Sequence, residues 1–358
     1  MTRTIVIAEA GVNHNGYIEN AFKLVDIASE AGADYIKFQT FQASELIDRK
    51  TKKADYQKAM TDEQESQYEM LKRLELPFSA FEDLFEYSNK KNIKFMSTAF
   101  DQNSLEFLNR KLGMSINKIP SGEITNSPFL LEHAKSKNNL ILSTGMSTIS
   151  EIEDALSVIA FGFLNEEKKP SIDNFNKAYQ SAEGKRALKE KVTLLHCTSE
   201  YPAPNQNLNL LAMNEIKKYF DLKVGYSDHS IDIDASIIAV SMGARVIEKH
   251  FTIDKTMDGP DHAASLNPEE LSELIRKIRD IETIKGNSEK KPTRGEIKNK
   301  KLVRKSIVAK GTIYKGDLFS EKNLSVKRPG NGISPMRIWD ILGKKSTREY
   351  QHDEQIIE

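Results

Sequence analysis

At 358 residues the chain is long enough to bury a sizeable core and suits one large domain plus a small one. Lysine plus arginine and aspartate plus glutamate number 52 each, with no block of like charge, which argues against a nucleic-acid arm or a polybasic membrane anchor. One cysteine, Cys197, allows no disulfide within the chain, the opening TIVIAEAG carries no signal-peptide pattern, and no apolar run approaches the roughly 20 residues that span a bilayer, so a cytoplasmic protein with no membrane partner is expected.

From residue 4 to 283, short β-rich apolar runs alternate with amphipathic stretches, the pattern of repeated βα units around a parallel sheet. Strands are predicted at 4–10, 34–39, 93–98, 116–121, 140–144, 192–198, 222–227 and 245–251. Eight such units predict an α/β fold of the closed eight-stranded βα (TIM) barrel type over 1–283. Ala21, Leu24, Val25 and Ala28 form one helical stripe, and Ile152, Ala155, Leu156 and Ile159 another. Thr148 with Glu151, and Asn267 with Pro268 and Glu270, read as helix starts. Residues 163–190 are a polar, lysine-rich excursion expected to form surface helix and loop. Residues 284–301, nearly devoid of apolar side chains, read as a linker, and 302–358 as a small β-rich domain that leans on a partner surface.

In a βα barrel the chemistry sits at the carboxyl ends of the strands, so polar residues ending apolar strands are the candidates. They are Glu9 with Asn13 and His14, Lys37 with Gln39, Ser97 with Thr98, Lys118 with Ser121 and Glu123, Ser143 with Thr144, His196 through Tyr201, Ser227 with Asp228 and His229, and Glu248 with His250. Stability does not require such a ring, because buried polar groups cost free energy unless paired. Lys37 and Lys118 sit beside small hydroxyls and a glycine, a combination suited to a phosphate dianion, or they only reach the rim as long side chains. His229 and His250 end neighbouring strands and could converge on one divalent ion, or could be hydrogen-bonded rim side chains. Glu248 shares the inward row with His250 and is placed to orient a ligand or touch substrate. Asp228, next to His229, is a candidate to hold an imidazole in its tautomer. His14 reads as a turn residue, His133, His196, His262 and His352 as structural, and Cys197 as core rather than nucleophile.

The strings IAEAGVNHNG, KFQTF, KIPSGE, ILSTGM, LLHCTSEYPAP, GYSDHS, EKHFT and GPDHAAS, in this order, resemble the bacterial sialic acid synthase family, and KRPGNGIS resembles its C-terminal antifreeze-like (SAF, β-clip) domain. The likeness runs over nearly the whole chain. Ala99 and Ser199 depart from the commonest family pattern at a loop and remove neither a charge nor a metal ligand. The resemblance implies a homodimer whose chains exchange their antifreeze-like domains, so that Arg328 visits the partner's site. It implies a phosphoenolpyruvate set of Lys37, Gln39, Thr98, Lys118, Ser121, Ser143 and Ser227. Glu9, Tyr201, Asp261 and Arg328 fall in the sugar-binding set, to which the inward-facing Glu248 is added. His229 and His250 are implied as ligands of a divalent metal, manganese, with cobalt and magnesium also fitting two nitrogens. Glu9, Lys118 and Glu123 are the catalytic candidates, Glu123 handling the proton of an attacking water.

The function expected on this basis is metal-dependent condensation of phosphoenolpyruvate with N-acetylmannosamine to N-acetylneuraminate and phosphate, by C–O cleavage. The motifs suit equally a synthase using 2,4-diacetamido-2,4,6-trideoxymannose to make N,N'-diacetyllegionaminate. A metal-dependent aldolase or hydrolase on the same barrel would need neither phosphate-facing lysine, and a non-catalytic carbohydrate-binding barrel is the reading from another class, since a fold alone does not prove activity.

Overall fold

The computed structural model describes residues 3–49, 51, 53, 65–164 and 167–357. They divide into two compact units, Met1–Gly286 and Asn287–Glu358. The first is a closed barrel of parallel strands in chain order: β1 (Ile5–Gly11), β2 (Tyr35–Thr40), β3 (Lys94–Ala99), β4 (Ile116–Ile119), β5 (Asn139–Ser143), β6 (Val192–Cys197), β7 (Lys223–Asp228) and β8 (Val246–His250). Each lies within one or two residues of the expected span. β4 stops at Ile119 because Pro120 has no N–H for the ladder, and Ser121–Glu123 turn into a helical loop instead. That early stop carries Ser121 and Glu123 onto the rim.

The strands are buried on both faces because helices cover the outside. Helix Ile18–Glu30 buries Ala21, Leu24, Val25 and Ala28, and helix Ile149–Leu164 buries Ile152, Ala155, Leu156 and Ile159 along with most of its later residues. Thr148 and Glu151 exchange capping hydrogen bonds, and Asn267 with Glu270 close a capping box on helix Pro268–Lys285. The excursion after the helix ending at Leu164 holds two short helices, Ile172–Gln180 and Ala182–Lys191, while residues 165 and 166 lie outside the described residues. A feature not read from the sequence is the connection between β2 and β3, which contains helices Ala43–Leu46 and Gln67–Leu74 before the covering helix Phe78–Lys90.

The barrel closes where β1 pairs with β8, and Glu9 there stands opposite His250. One glycine is required by close approach: a Cβ on Gly225 in β7 would come 2.4 Å from the Val246 carbonyl oxygen and 2.7 Å from Leu195 Cδ2. Among the described residues no helix is long and apolar enough to cross a membrane.

The second unit pairs β9 (Ser306–Ala309) antiparallel with β10 (Leu324–Lys327) over a small core of Ile307, Ile313, Phe319, Leu324, Tyr350 and Ile356, among others. Residues 284–301, read as linker, are more ordered than that reading: helix Arg294–Val303 begins within them, capped by Thr293 and Glu296.

Candidate active site

Strand register builds the site. Inward-facing positions recur every second residue, so Glu9 of β1 stands beside Lys37 of β2, Thr98 of β3 beside both Gln39 and Lys118, and Ser227 of β7 beside Glu248 of β8. These side chains line a cavity of about 570 Å³ at the carboxyl end of the barrel, together with Ser121, Glu123, Ser143, Ser199, Tyr201, His229, His250 and Asp261. Of the residues singled out for substrate or metal, only Arg328 lies elsewhere, exposed in the second unit.

At the floor two ammonium groups and two carboxylates are buried together. Lys37 Nζ lies 2.7 Å from Glu9 Oε2 and 3.7 Å from Glu248 Oε2, and it donates to Thr98 Oγ1 at 3.0 Å. Lys118 Nζ lies 3.4 Å from Glu248 Oε1, which also accepts from Ser227 Oγ at 3.1 Å. Burial would raise Glu248, but Lys118 and Lys37 together outweigh it and hold the carboxyl well below its usual range. Burial dominates at Glu9, pushing it up to about 7 against the pull of Lys37. Lys118 is lowered by burial, and Lys37 is raised because Glu248 and Glu9 overcome its own burial.

Beside this cluster stand hydroxyls ready for an anion. Ser121 Oγ accepts from the Gly145 N–H at 3.0 Å and lies 3.1 Å from Cys197 Sγ. Ser143 Oγ is buried without a hydrogen-bond partner among the described residues. A buried hydroxyl left unpaired at the edge of a pocket is what a ligand oxygen would satisfy. Burial raises the Cys197 thiol, which fits a packing role rather than a nucleophile's.

The two histidines adjoin the cluster, ring centroids 5.9 Å apart, with Ser227 Oγ 3.5 Å from His229 Nε2 and Tyr201 packed 4.1 Å from the His229 ring. His229 Nδ1 lies 2.6 Å from the Thr198 carbonyl, which can only accept, so the proton is on Nδ1 and Nε2 keeps its lone pair. His250 Nδ1 is buried without a hydrogen-bond partner among the described residues and lies 4.0 Å from Asp261 Oδ2. Burial lowers His229 to about 4 and His250 well below its usual value, and raises Asp261 to about 6. Two neutral imidazoles with nitrogen lone pairs to offer fit a divalent cation. The pocket's charge points the same way, since its lining carries two lysines against the carboxylates of Glu9, Glu123, Glu248 and Asp261. No group of three or more histidine, cysteine or acidic side chains gathers around one point among the described residues, so the protein's share of such a site is two nitrogens. Gly11, at φ +52°, keeps this corner open, because a Cβ there would come 3.3 Å from both Gln39 Nε2 and His250 Cε1.

Asp228 does not hold His229. Alternation puts it on the outer face of β7, where Oδ1 accepts from the N–H and hydroxyl of Ser230 and Oδ2 accepts from Ser236 Oγ at 2.6 Å. Its ionic partner is Lys249, 3.3 Å away and buried on the outer face of β8, whose Nζ also donates to the Ser230 carbonyl. Each member of this pair adjoins a pocket histidine in the chain, so the pair clamps the two histidine-bearing strand ends from outside. Asp228 and His229 are neighbours in the chain, but alternation along β7 turns their side chains to opposite faces. Glu123 accepts from Asn126 Nδ2 at 2.7 Å. His14 accepts from the Gly16 N–H at 3.0 Å, a turn role, and His262 is held between Thr252 and Asn15.

The parallel barrel brings buried lysines, hydroxyls and two imidazoles to one cavity, a set with the charge and donors to meet an anion. The chain belongs to the NeuB family, matched over residues 24–290, and carries a SAF domain over residues 304–356. It is 49% identical over 358 residues to the N,N'-diacetyllegionaminic acid synthase of Campylobacter jejuni, with 100% of each chain covered. It is 46% identical over 340 residues to the synthase of the same name from Legionella pneumophila, covering 95% of this chain and 89% of that one. Among solved structures it is similar to the N-acetylneuraminic acid (sialic acid) synthetase of Leptospira borgpetersenii in complex with citrate, at 33% identity and a TM-score of 0.67 over 83% of this chain and 90% of that one. The chain is thus an enzyme, a synthase of the sialic-acid type.

Replacing Lys249 by Met leaves the Asp228 carboxylate buried without its cation, and is expected to lower unfolding free energy by about 3–5 kcal/mol in urea denaturation. A loss below about 1 kcal/mol would show that the pair does not clamp the strand ends.

Proposed function

We propose that the enzyme condenses phosphoenolpyruvate with 2,4-diacetamido-2,4,6-trideoxymannose to give N,N'-diacetyllegionaminate and inorganic phosphate. The observation that carries this reading is the full-length identity of 49% to a synthase named for that product. The motifs suit both sugars equally, with N-acetylmannosamine the first expectation; identity to two synthases of the other type favours the trideoxy sugar.

Phosphoenolpyruvate is bound through its phosphate and carboxylate by Lys37, Lys118 and Gln39 with the hydroxyls of Thr98, Ser121, Ser143 and Ser227. The unpartnered Ser143 hydroxyl supports this assignment. Glu9 and Glu248 keep the Lys37 ammonium charged and aimed, and Glu248 opposes the burial that lowers Lys118, which a buried lysine needs if it is to meet an anion. His229 and His250 would hold a divalent ion, manganese, cobalt or magnesium, which supplies Lewis-acid polarisation of a substrate oxygen when bound. Tyr201, Asp261, Glu9 and Glu248 meet the polar groups of the sugar. Arg328 joins them from the second unit of another copy in a domain-exchanged homodimer.

The methylene carbon of phosphoenolpyruvate bonds to the aldehyde carbon of the open-chain sugar, whose oxygen takes up a proton from solvent and becomes a hydroxyl. Water adds to the resulting cationic carbon, and Glu123 takes its proton. The bond between that carbon and the phosphate oxygen then breaks, releasing phosphate and the 2-keto acid. Asn126, donating to Glu123, holds the carboxylate at the rim for this transfer.

Phosphate release with phosphoenolpyruvate and each sugar in turn, with product mass, tests the assignment. The trideoxy sugar is expected to give the higher kcat/KM, and a higher value for N-acetylmannosamine would return the enzyme to the sialic acid reading. Glu123→Gln is expected to lower kcat by about 10²-fold or more with little change in KM. Unchanged turnover would remove Glu123 from the proton transfer.

A further inference from the structure

We propose that the pocket wall built by the loops after β1, β2 and β3 is the specificity element of the reaction, reading the deoxygenated end of the sugar through its C6 methyl. The proposal rests on the synthase reading above and assigns the part of the pocket that reading leaves unused. The pocket is two-sided. Tyr201, His229, His250 and Asp261, carried by the connections after β6, β7 and β8, make one wall polar. The side after β1, β2 and β3 holds Val12, Phe41, Leu46, Leu71, Leu74 and Phe100, with Gln67 at the start of the second helix its one polar addition among the described residues.

These residues do not belong to the barrel core. Val12, Phe41 and Leu74 form with Met70 a separate buried cluster, on which Leu46, Leu71 and Phe100 pack while staying partly exposed. The β2–β3 connection supplies most of them, through helices Ala43–Leu46 and Gln67–Leu74. Closing a barrel requires neither helix, and apolar side chains kept at the mouth of a polar pocket mark a surface waiting for an apolar ligand group.

The two candidate sugars differ where such a wall would act. N-acetylmannosamine carries hydroxyls at C4 and C6, whereas the trideoxy sugar has an acetamido group and a methyl. A C6 hydroxyl against Leu46, Leu71 and Phe100 would give up water without gaining a partner, while a methyl would lose nothing. Apolar pockets reject an added hydroxyl only moderately, so the discrimination expected from this wall is about 10- to 100-fold.

The test compares N-acetylmannosamine with 2-acetamido-2,6-dideoxymannose, which differ by one oxygen at C6, in phosphate release by the full-length, metal-loaded enzyme. Wild type is expected to favour the 6-deoxy sugar in kcat/KM by about 10-fold or more, and Leu71→Asn to bring that ratio toward one. Leu46→Asn, on the short helix, is the second variant should the first fail to fold by circular dichroism. A wild-type ratio near one, or variants that slow both sugars equally with the ratio intact, would overturn the proposal. A 6-deoxy preference combined with preference for a C4 hydroxyl over a C4 acetamido group would uphold the wall and overturn only the substrate assignment. No phosphate release with any of the sugars would overturn both.

Discussion

Two lysines buried against two glutamates at the floor of the barrel are the constraint on which the rest of the site depends. Lys37 is shared by Glu9 and Glu248, and Lys118 leans on Glu248 alone. Buried ion pairs of this kind are weak contributors to stability, since the desolvation they require offsets most of their attraction. Their presence on four different strands is therefore better explained by what they bind than by what they hold together. Glu248 and Glu9 together hold Lys37 charged, and hydroxyls of Thr98 and Ser227 complete the network. In the proposed reaction an arriving dianion would meet the Lys37 ammonium already charged and oriented, at no cost of reorganisation at the moment of reaction.

The ring of polar strand ends was legible because two periodicities coincide. Apolar runs of five to seven residues mark the strands, and alternation along each one decides which polar residue faces inward. Glu248 and His250 are brought to the pocket on that basis, with Lys249 between them turned out. The same rule applied to SDH would have sent Asp228 outward, and its pairing with Lys249 follows from the register of β7 on β8. The partner that does orient His229 is the Thr198 carbonyl, a backbone atom for which no side chain in the sequence gives a signal. The helix inside residues 284–301 had a readable start in Thr293 and Glu296, masked by the scarcity of apolar residues.

The apolar wall was missed for a different reason. Its residues are scattered over three loops, and within the β2–β3 connection Phe41 precedes the helices while Leu46, Leu71 and Leu74 sit on two helices too short to sustain a period. Only folding gathers Val12, Phe41, Leu71 and Phe100 on one side of the cavity. The division is one of side-chain chemistry: the floor carries charge, the side after β6 to β8 carries polar groups, and the side after β1 to β3 is mostly apolar. The first two follow from motifs that a family shares, and the third is where members with different sugars are expected to diverge.

The most direct test of this account is the binding of phosphoenolpyruvate alone, by calorimetry, to the wild-type enzyme and to Lys118→Met. If the buried cluster is the anion site, removing one ammonium is expected to weaken binding by about 30-fold or more, since truncating one partner of a buried charge pair costs about 2–5 kcal/mol. Equal affinity in the two proteins would contradict it and place the anion elsewhere in the pocket.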